Sequence, residues 1–267
     1  MMSDAGIDSG IARLLVAEPA LYYQIVMSAN GIVFDHIAIG LPRIADAPAV
    51  LVGALGGVPE AASPSRGFNW GCWLFAGGGR VEILEPSGDD GFLHRFLAQR
   101  GPGVHHVTFK VPSLDAVCAR AEASGYDIVG RDDSDPEWRE AFLHPKQALG
   151  IVVQFAQPGP SDEGPPSAPP PAVAPPSSPV TVLGLSMRSQ SRERALTLWS
   201  TVLQGRVTEK PGGTLRFSWP GSFMRIDVES DHVQNEGPIA IELAPSSRPL
   251  PAGAHPVLGA IFREAVE

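Results

Sequence analysis

The feature that most constrains this fold is an internal repeat. HIAIGLP at 36–42 and HVTFKVP at 106–112 match in residue type, and each leads into an alanine-rich amphipathic segment that stops at a glycine, Gly56 or Gly125. Alternation marks strands over VFDHIAIGL, GFNWGCWLFA and GRVEILEP, with a helix over DAPAVLVGALGG after the first and another over DGFLHRFLAQR after the last. The order then begins again with strand VHHVTFKVP, helix SLDAVCARAEASG and strands YDIVGRD, EAFLHP and GIVVQFAQ. Two copies of one βαβββ unit account for this order and predict an α+β fold in which the copies pair.

A third start, VTVLGLSMR, is followed by the helical pattern RERALTLWSTVLQG and strands TLRFSWP and SFMRIDVE; a fourth, at GPIAIELAP, is cut short. These lie beyond a stretch whose proline density forbids helix or central strand and favours an extended linker. The expected organisation is an N-terminal extension over 1–33, a paired-repeat domain over 34–157, a linker over 158–179, and a degenerate, incomplete second copy over 180–267. The apolar run IARLLVAEPALYYQIVM in the extension is interrupted by Arg13, Glu18 and Pro19 and has no basic segment before it, so it reads as neither signal peptide nor membrane span.

Against 29 acidic residues stand only 20 Lys and Arg, for a net charge of −9, and the basic residues form no cluster. Nucleic acid and anionic membrane both require a basic face, which leaves a small molecule as the expected partner. Cys72 and Cys118 have no neighbouring thiol to complete a zinc-type spacing. They read as reduced core thiols of a cytoplasmic protein, with a disulfide as the alternative.

Four polar residues occupy equivalent places on otherwise apolar strands: His36 and His106 on the first strand of each repeat, Glu82 and Gln154 on the last. The offsets agree, 46 residues from His36 to Glu82 and 48 from His106 to Gln154. Packed about a pseudo-twofold axis, the four would converge in one cleft with the donors for a divalent ion. The bland alternatives are satisfied core histidines, an internal salt bridge for Glu82 and a hydrogen-bonding barrel-wall role for Gln154. Equivalence of position favours ligation.

His105 should face away from His106 by alternation, as a structural residue. His144 and Lys146 lie in a hairpin, where Lys146 could hold a substrate carboxylate or phosphate or simply be solvated. Trp70 and Trp73 are candidate substrate-binding aromatics, although alternation puts them on opposite faces, so at most one should line the cleft. The glycines at 77–79 read as a hairpin turn and lack the context of a phosphate loop. After the linker, Gly184 and Ala240 stand where the histidines would be, and only Asp227, in the place of Glu82, keeps a coordinating type.

The runs FDHIAIG, RVEILEP, GPGVHHVTFKV and FLHPKQALGIVVQF resemble the strands of the vicinal-oxygen-chelate (glyoxalase, bleomycin resistance, dioxygenase) superfamily, most nearly those of methylmalonyl-CoA epimerases. The resemblance covers residues 34–157 and implies a vicinal-oxygen-chelate half-barrel. It implies that His36, Glu82, His106 and Gln154 bind one divalent ion, for which this donor set suits Mn, Fe(II), Co, Ni or Zn. It further implies a lyase, isomerase or epimerase that acts through a metal-stabilised enolate on a small substrate with adjacent oxygens, with Glu82 as the leading base. Two positions depart from the epimerase pattern: Gln154 replaces a glutamate, and Ser65-Arg66-Gly67 lacks the acid expected before the third strand. The alternatives are an Fe(II) ring-cleaving dioxygenase and a metal-free binding protein. The second copy would serve as a cover, a homodimer surface or a regulatory pocket.

Overall fold

The computed structural model describes residues 31–159, 173–174, 176, 178–230, 234–246, 250 and 252–266. Most of the extension read over 1–33 and of the linker read over 158–179 lies outside these residues. Eight strands form a curled half-barrel: β1 (Val33–Gly40), β2 (Val58–Ser65), β3 (Phe68–Leu74), β4 (Arg80–Pro86), β5 (Gly103–Lys110), β6 (Ile128–Asp132), β7 (Trp138–Leu143) and β8 (Val152–Pro158), in the order β2-β3-β4-β1-β5-β8-β7-β6. The two repeat starts, β1 and β5, pair antiparallel at the centre, and each is flanked by the parallel last strand of its own repeat, β4 or β8.

Sequence reasoning missed β2, because VPEAASPS carries two prolines. It is an edge strand that, among the described residues, pairs with β3 alone, where a missing N–H costs the ladder little. The helix expected over 46–57 is reduced to a 3-10 turn at Ile44–Asp46 and a wide i→i+5 turn at Ala49–Ala54. Valine and glycine are poor helix formers, and burial of Val50, Leu51 and Val52 holds this short segment in place. Helix α1 (Phe92–Arg100) buries Leu93 on one face of the sheet; α2 (Leu114–Ala123) buries Leu114, Val117, Cys118 and Ala121 on the other. Ser113 caps α2 by accepting a hydrogen bond from the Ala116 N–H at 3.2 Å.

The second half repeats the plan. Strands β9 (Val182–Arg188), β10 (Arg206–Glu209), β11 (Leu215–Ser218), β12 (Arg225–Glu229), β13 (Gly237–Leu243) and β14 (Phe262–Glu264) lie in the order β10-β11-β12-β9-β13-β14. Helix α3 (Arg192–Leu196) continues as an i→i+5 turn through Val202. The fourth unit thus keeps its first and last strands, β13 and β14, paired parallel as β5 and β8 are.

One hydrophobic core serves both sheets. Phe34 and Phe109 stack at 4.9 Å, Trp219 meets both edge-on, and Trp199 lies 5.9 Å from Phe109. Ser222 Oγ donates to the Phe34 carbonyl at 2.7 Å and Arg120 Nε to the Val202 carbonyl at 3.0 Å. The Gly77–Gly79 hairpin turn is also a contact with the second half. A Cβ at Gly78 would stand 2.3 Å from the Phe223 ring, and one at Gly79 would stand 2.4 Å from the Val182 carbonyl oxygen. Both cysteines are free and buried. Among the described residues no helix is long and apolar enough to cross a membrane.

Candidate metal centre

The pairing of β1 with β5 slips twice. Phe34 faces Phe109 and His36 faces Thr108, which leaves Asp35 as an extra residue; Ala38 faces His106 and Ile39 faces Val104, which leaves His105 as the other. Each bulge brings the residue before a candidate histidine ligand beside that histidine's Nδ1. His36 Nδ1 lies 2.8 Å from Asp35 Oδ2, and His106 Nδ1 lies 2.9 Å from His105 Nδ1. His105 therefore does not face away from His106. The bulge breaks the two-residue period on which that expectation rested.

With both Nδ1 atoms engaged, the Nε2 atoms are the ones turned to a common point. His36 Nε2 lies 3.4 Å and His106 Nε2 3.7 Å from Glu82 Oε2, and the three potential ligand atoms lie within 4.8 Å of one another. Both histidines are 6 % exposed, yet among the described residues His106 Nε2 has no hydrogen-bond partner. A desolvated lone pair with nothing to satisfy it is costly in a fold, and a metal ion would satisfy it. Gln154 joins through Thr108: the Thr108 hydroxyl donates to Gln154 Oε1 at 2.6 Å and lies 2.8 Å from His36 Nε2. Two imidazoles and a carboxylate, with an amide oxygen one hydroxyl away, are a donor set that fits a borderline transition-metal ion.

The charges around the triad are arranged asymmetrically. Burial opposes a charged His36, but the carboxylates of Glu82 and Asp35 outweigh it and raise its pKa to about 9. Burial likewise opposes ionisation of Asp35, and Lys110, 3.1 Å away, together with His36 holds its carboxyl well below the usual range. His106 is driven the other way, well below the ordinary histidine value, by burial and by the two neighbouring imidazoles. Without metal, the proton on His36 supplies the positive charge that the carboxylates require. Burial also lowers His105 to about 4, so it is neutral and its Nδ1 can accept from a His106 Nδ1–H.

A sequence-family model described as the glyoxalase/bleomycin resistance protein/dioxygenase superfamily matches residues 35–168, half of the chain. The chain belongs to that superfamily. Two solved structures share the architecture over both halves. A hypothetical protein from Staphylococcus aureus has a TM-score of 0.59 at 12 % identity, covering 88 % of this chain and 98 % of its own. A mutant of 4-hydroxymandelate synthase from Streptomyces coelicolor has a TM-score of 0.61 at 12 % identity, covering 82 % of this chain and 72 % of its own. Methylmalonyl-CoA epimerase from Mycobacterium tuberculosis is 24 % identical and covers 48 % of this chain and 88 % of its own, with a TM-score of 0.44.

Other superfamily-site expectations divide. Trp70 lies against Ala38, Leu84 and Leu93, on the face that carries His36 and Glu82. Trp73 is 5 % exposed in the main core on the opposite face and cannot line the cleft. Lys146 is not brought to the triad; it lines a separate recess of about 340 Å³ with Tyr126, Gln147 and Arg194. The same turn holds His144, whose Nδ1 accepts from the Lys146 N–H at 3.2 Å.

Three residues of the centre were not singled out in the sequence as site residues: Asp35, Thr108 and Glu140. Glu140 on β7 accepts from Gln154 Nε2 at 2.6 Å and from Trp138 Nε1 at 3.1 Å, and burial raises its pKa. Only Asp35 left a signal, as the acid before the histidine in FDHIAIG.

In the second sheet the same register puts Asp227 opposite Ser186, as Glu82 is opposite Ala38, and Glu242 opposite Gly184, as Thr108 is opposite His36. Asp227 thus stands at the place of Glu82, and Glu242 is a further carboxylate at the place of Thr108. Protein cations already neutralise both acids: Arg216 donates to the two oxygens of Asp227 at 2.9 and 2.8 Å, and Arg225 lies 3.9 Å from Asp227 and 3.6 Å from Glu242. Gly184 has φ +139°, and a Cβ there would stand 1.9 Å from the Arg225 carbonyl oxygen, so no side chain fits where His36 stands in the first sheet. Gly184→Ala is expected to cost at least ~2 kcal/mol of stability, read as a fall in Tm, with metal binding unchanged.

Proposed function

We propose that this protein is a metal-dependent lyase, isomerase or epimerase whose small substrate carries adjacent oxygens. The observation that carries the reading is the convergence of His36 Nε2, His106 Nε2 and Glu82 Oε2 on one face of the first sheet, with both histidines buried and the His106 nitrogen without a hydrogen-bond partner among the described residues. His36, His106, Glu82 and Gln154 would hold one Mn, Fe(II), Co, Ni or Zn ion. When bound, such an ion draws electron density from a substrate oxygen and so eases loss of a proton from the adjacent carbon.

The chain's own part is positioning and proton handling. Trp70, Phe68, Phe96 and Leu97 pack on Ala38, Leu84 and Leu93 on the face that carries His36 and Glu82, and this apolar cluster would take the body of the substrate and exclude water. Glu82 directs Oε2 at the histidines, which leaves Oε1 as the atom to receive a proton. Homodimerisation is a separate part of the proposal, read directly by sedimentation.

The test is metal analysis of protein purified without chelator, followed by α-proton exchange in deuterated water with 2-hydroxy acids, 2-oxo acids and their thioesters. About one equivalent of transition metal and metal-dependent deuterium incorporation are expected. Absence of metal even after reconstitution would leave a binding protein. The triad of two imidazoles and one carboxylate also matches the donor set of Fe(II) oxygenases, which makes a dioxygenase the second reading. Substrate-dependent oxygen uptake by the Fe(II) form, without proton exchange, would select it.

A further inference from the structure

We infer that Glu140 is the positioning residue that turns the carbonyl end of the Gln154 amide toward the metal-binding triad. This rests on the metal-centre reading and concerns the weakest of its four donors. A glutamine ligates through Oε1 only, and its NH₂ end, nearly identical in shape, cannot bind a cation. Something must choose between the two orientations.

Gln154 is 7 % exposed and both ends of its amide are engaged. Nε2 donates to Glu140 Oε2 at 2.6 Å, and Oε1 accepts from the Thr108 hydroxyl at 2.6 Å, itself 2.8 Å from His36 Nε2. Thr108 cannot make the choice, because a hydroxyl donates or accepts equally well. Glu140 Oε2 is held as an acceptor by the Trp138 indole N–H, which can only donate, so turning the amide over would set two acceptor oxygens against each other at that short distance.

Glu140 is itself fixed. The Trp138 indole N–H reaches the same oxygen at 3.1 Å and holds it in place from the other side. The pairing of β7 with β8 sets Phe142 opposite Gln154 and Glu140 opposite Ala156, so Glu140 and Gln154 are diagonal neighbours on one face. The carbonyl-inward amide is thus built into the sheet through a carboxyl group one strand removed from the centre.

The test is competitive titration of metal-depleted full chain with Co(II) and Zn(II), alongside the Co(II) absorption spectrum. Glu140→Leu removes the acceptor and is expected to weaken binding about 10- to 100-fold, the usual effect of losing an outer-shell partner. Gln154→Glu alone places a second carboxylate against Glu140 and should bind no more tightly than wild type. The exchanged pair, Glu140→Gln with Gln154→Glu, restores an NH₂ donor beside an inward oxygen and should bind more tightly than Gln154→Glu alone.

Wild-type affinity in Glu140→Leu overturns the inference while the metal centre stands. If Glu140→Leu fails to fold, the exchanged pair decides: binding no tighter than in Gln154→Glu alone overturns it. A wild-type chain that binds neither ion removes the metal centre and the inference together, a result distinct from either.

Discussion

A His106→Ala variant is expected to lose metal affinity by well over the ~100-fold that an outer-shell change produces, with turnover lost in step, while the fold survives. The asymmetry between the two imidazoles is the reason. His106 Nε2 has no hydrogen-bond partner among the described residues, so what goes with the ring is its Nδ1 bond to the neighbouring neutral His105. His36 differs: its Nδ1 bonds to Asp35, which in turn pairs with Lys110, and its removal would also leave that buried carboxylate short of one partner. His106→Ala therefore separates ligation from folding more cleanly. Isothermal titration with Co(II), read beside the Tm of the metal-free forms, checks it. Stoichiometric metal at wild-type affinity in His106→Ala would remove the triad from the chemistry.

The same centre has a definite pH dependence. Metal must displace the proton that Glu82 and Asp35 hold on His36 up to a pKa of about 9. Below that value a falling pH protonates the ligand and weakens binding, by up to ~10-fold per unit from this one proton; above it the dependence flattens. His106 adds no comparable competition near neutrality, because burial and its neighbours already keep it neutral. Affinity in His106→Ala, wherever it remains measurable, should keep the His36 slope.

Much of this centre is legible in the sequence because it is written twice. His36 with His106 and Glu82 with Gln154 hold equal places in a repeated pattern, and the pairing of the repeats brings His36, His106 and Glu82 together. What escapes is whatever depends on an offset from the regular period. The bulges at Asp35 and His105 are invisible to alternation, so His105 is expected on the wrong side and Asp35 is passed over. Thr108 and Glu140 are common residues on ordinary strands, and only the packing of β5, β8 and β7 gives them partners. β2 escapes because proline is a strand breaker everywhere except at an edge, and an edge is a property of the assembled sheet. Alternation does separate Trp70 from Trp73, but which of the two faces holds the site follows only from the strand partners.

Trp199→Ala is expected to destabilise the whole chain by about 3–5 kcal/mol and to do so in one transition that includes the metal-bearing sheet. Trp199 is fully buried in the second half, yet its ring stands 5.9 Å from Phe109 on β5, and Phe109 stacks on Phe34 on β1. Phe34 directly precedes Asp35 and His36, and its carbonyl accepts the Ser222 hydroxyl from the second half. The second sheet thus supports from behind the two strands that carry the histidines. Because the indole N–H has no hydrogen-bond partner among the described residues, Trp199→Phe keeps most of the packing and forfeits no polar contact seen there, so a much smaller loss is expected. Calorimetry of the metal-free protein, with near-ultraviolet dichroism as a second probe, checks both. Two separated transitions, with the upper one unmoved by Trp199→Ala, would show that the first half stands alone and that the shared core does not couple the halves.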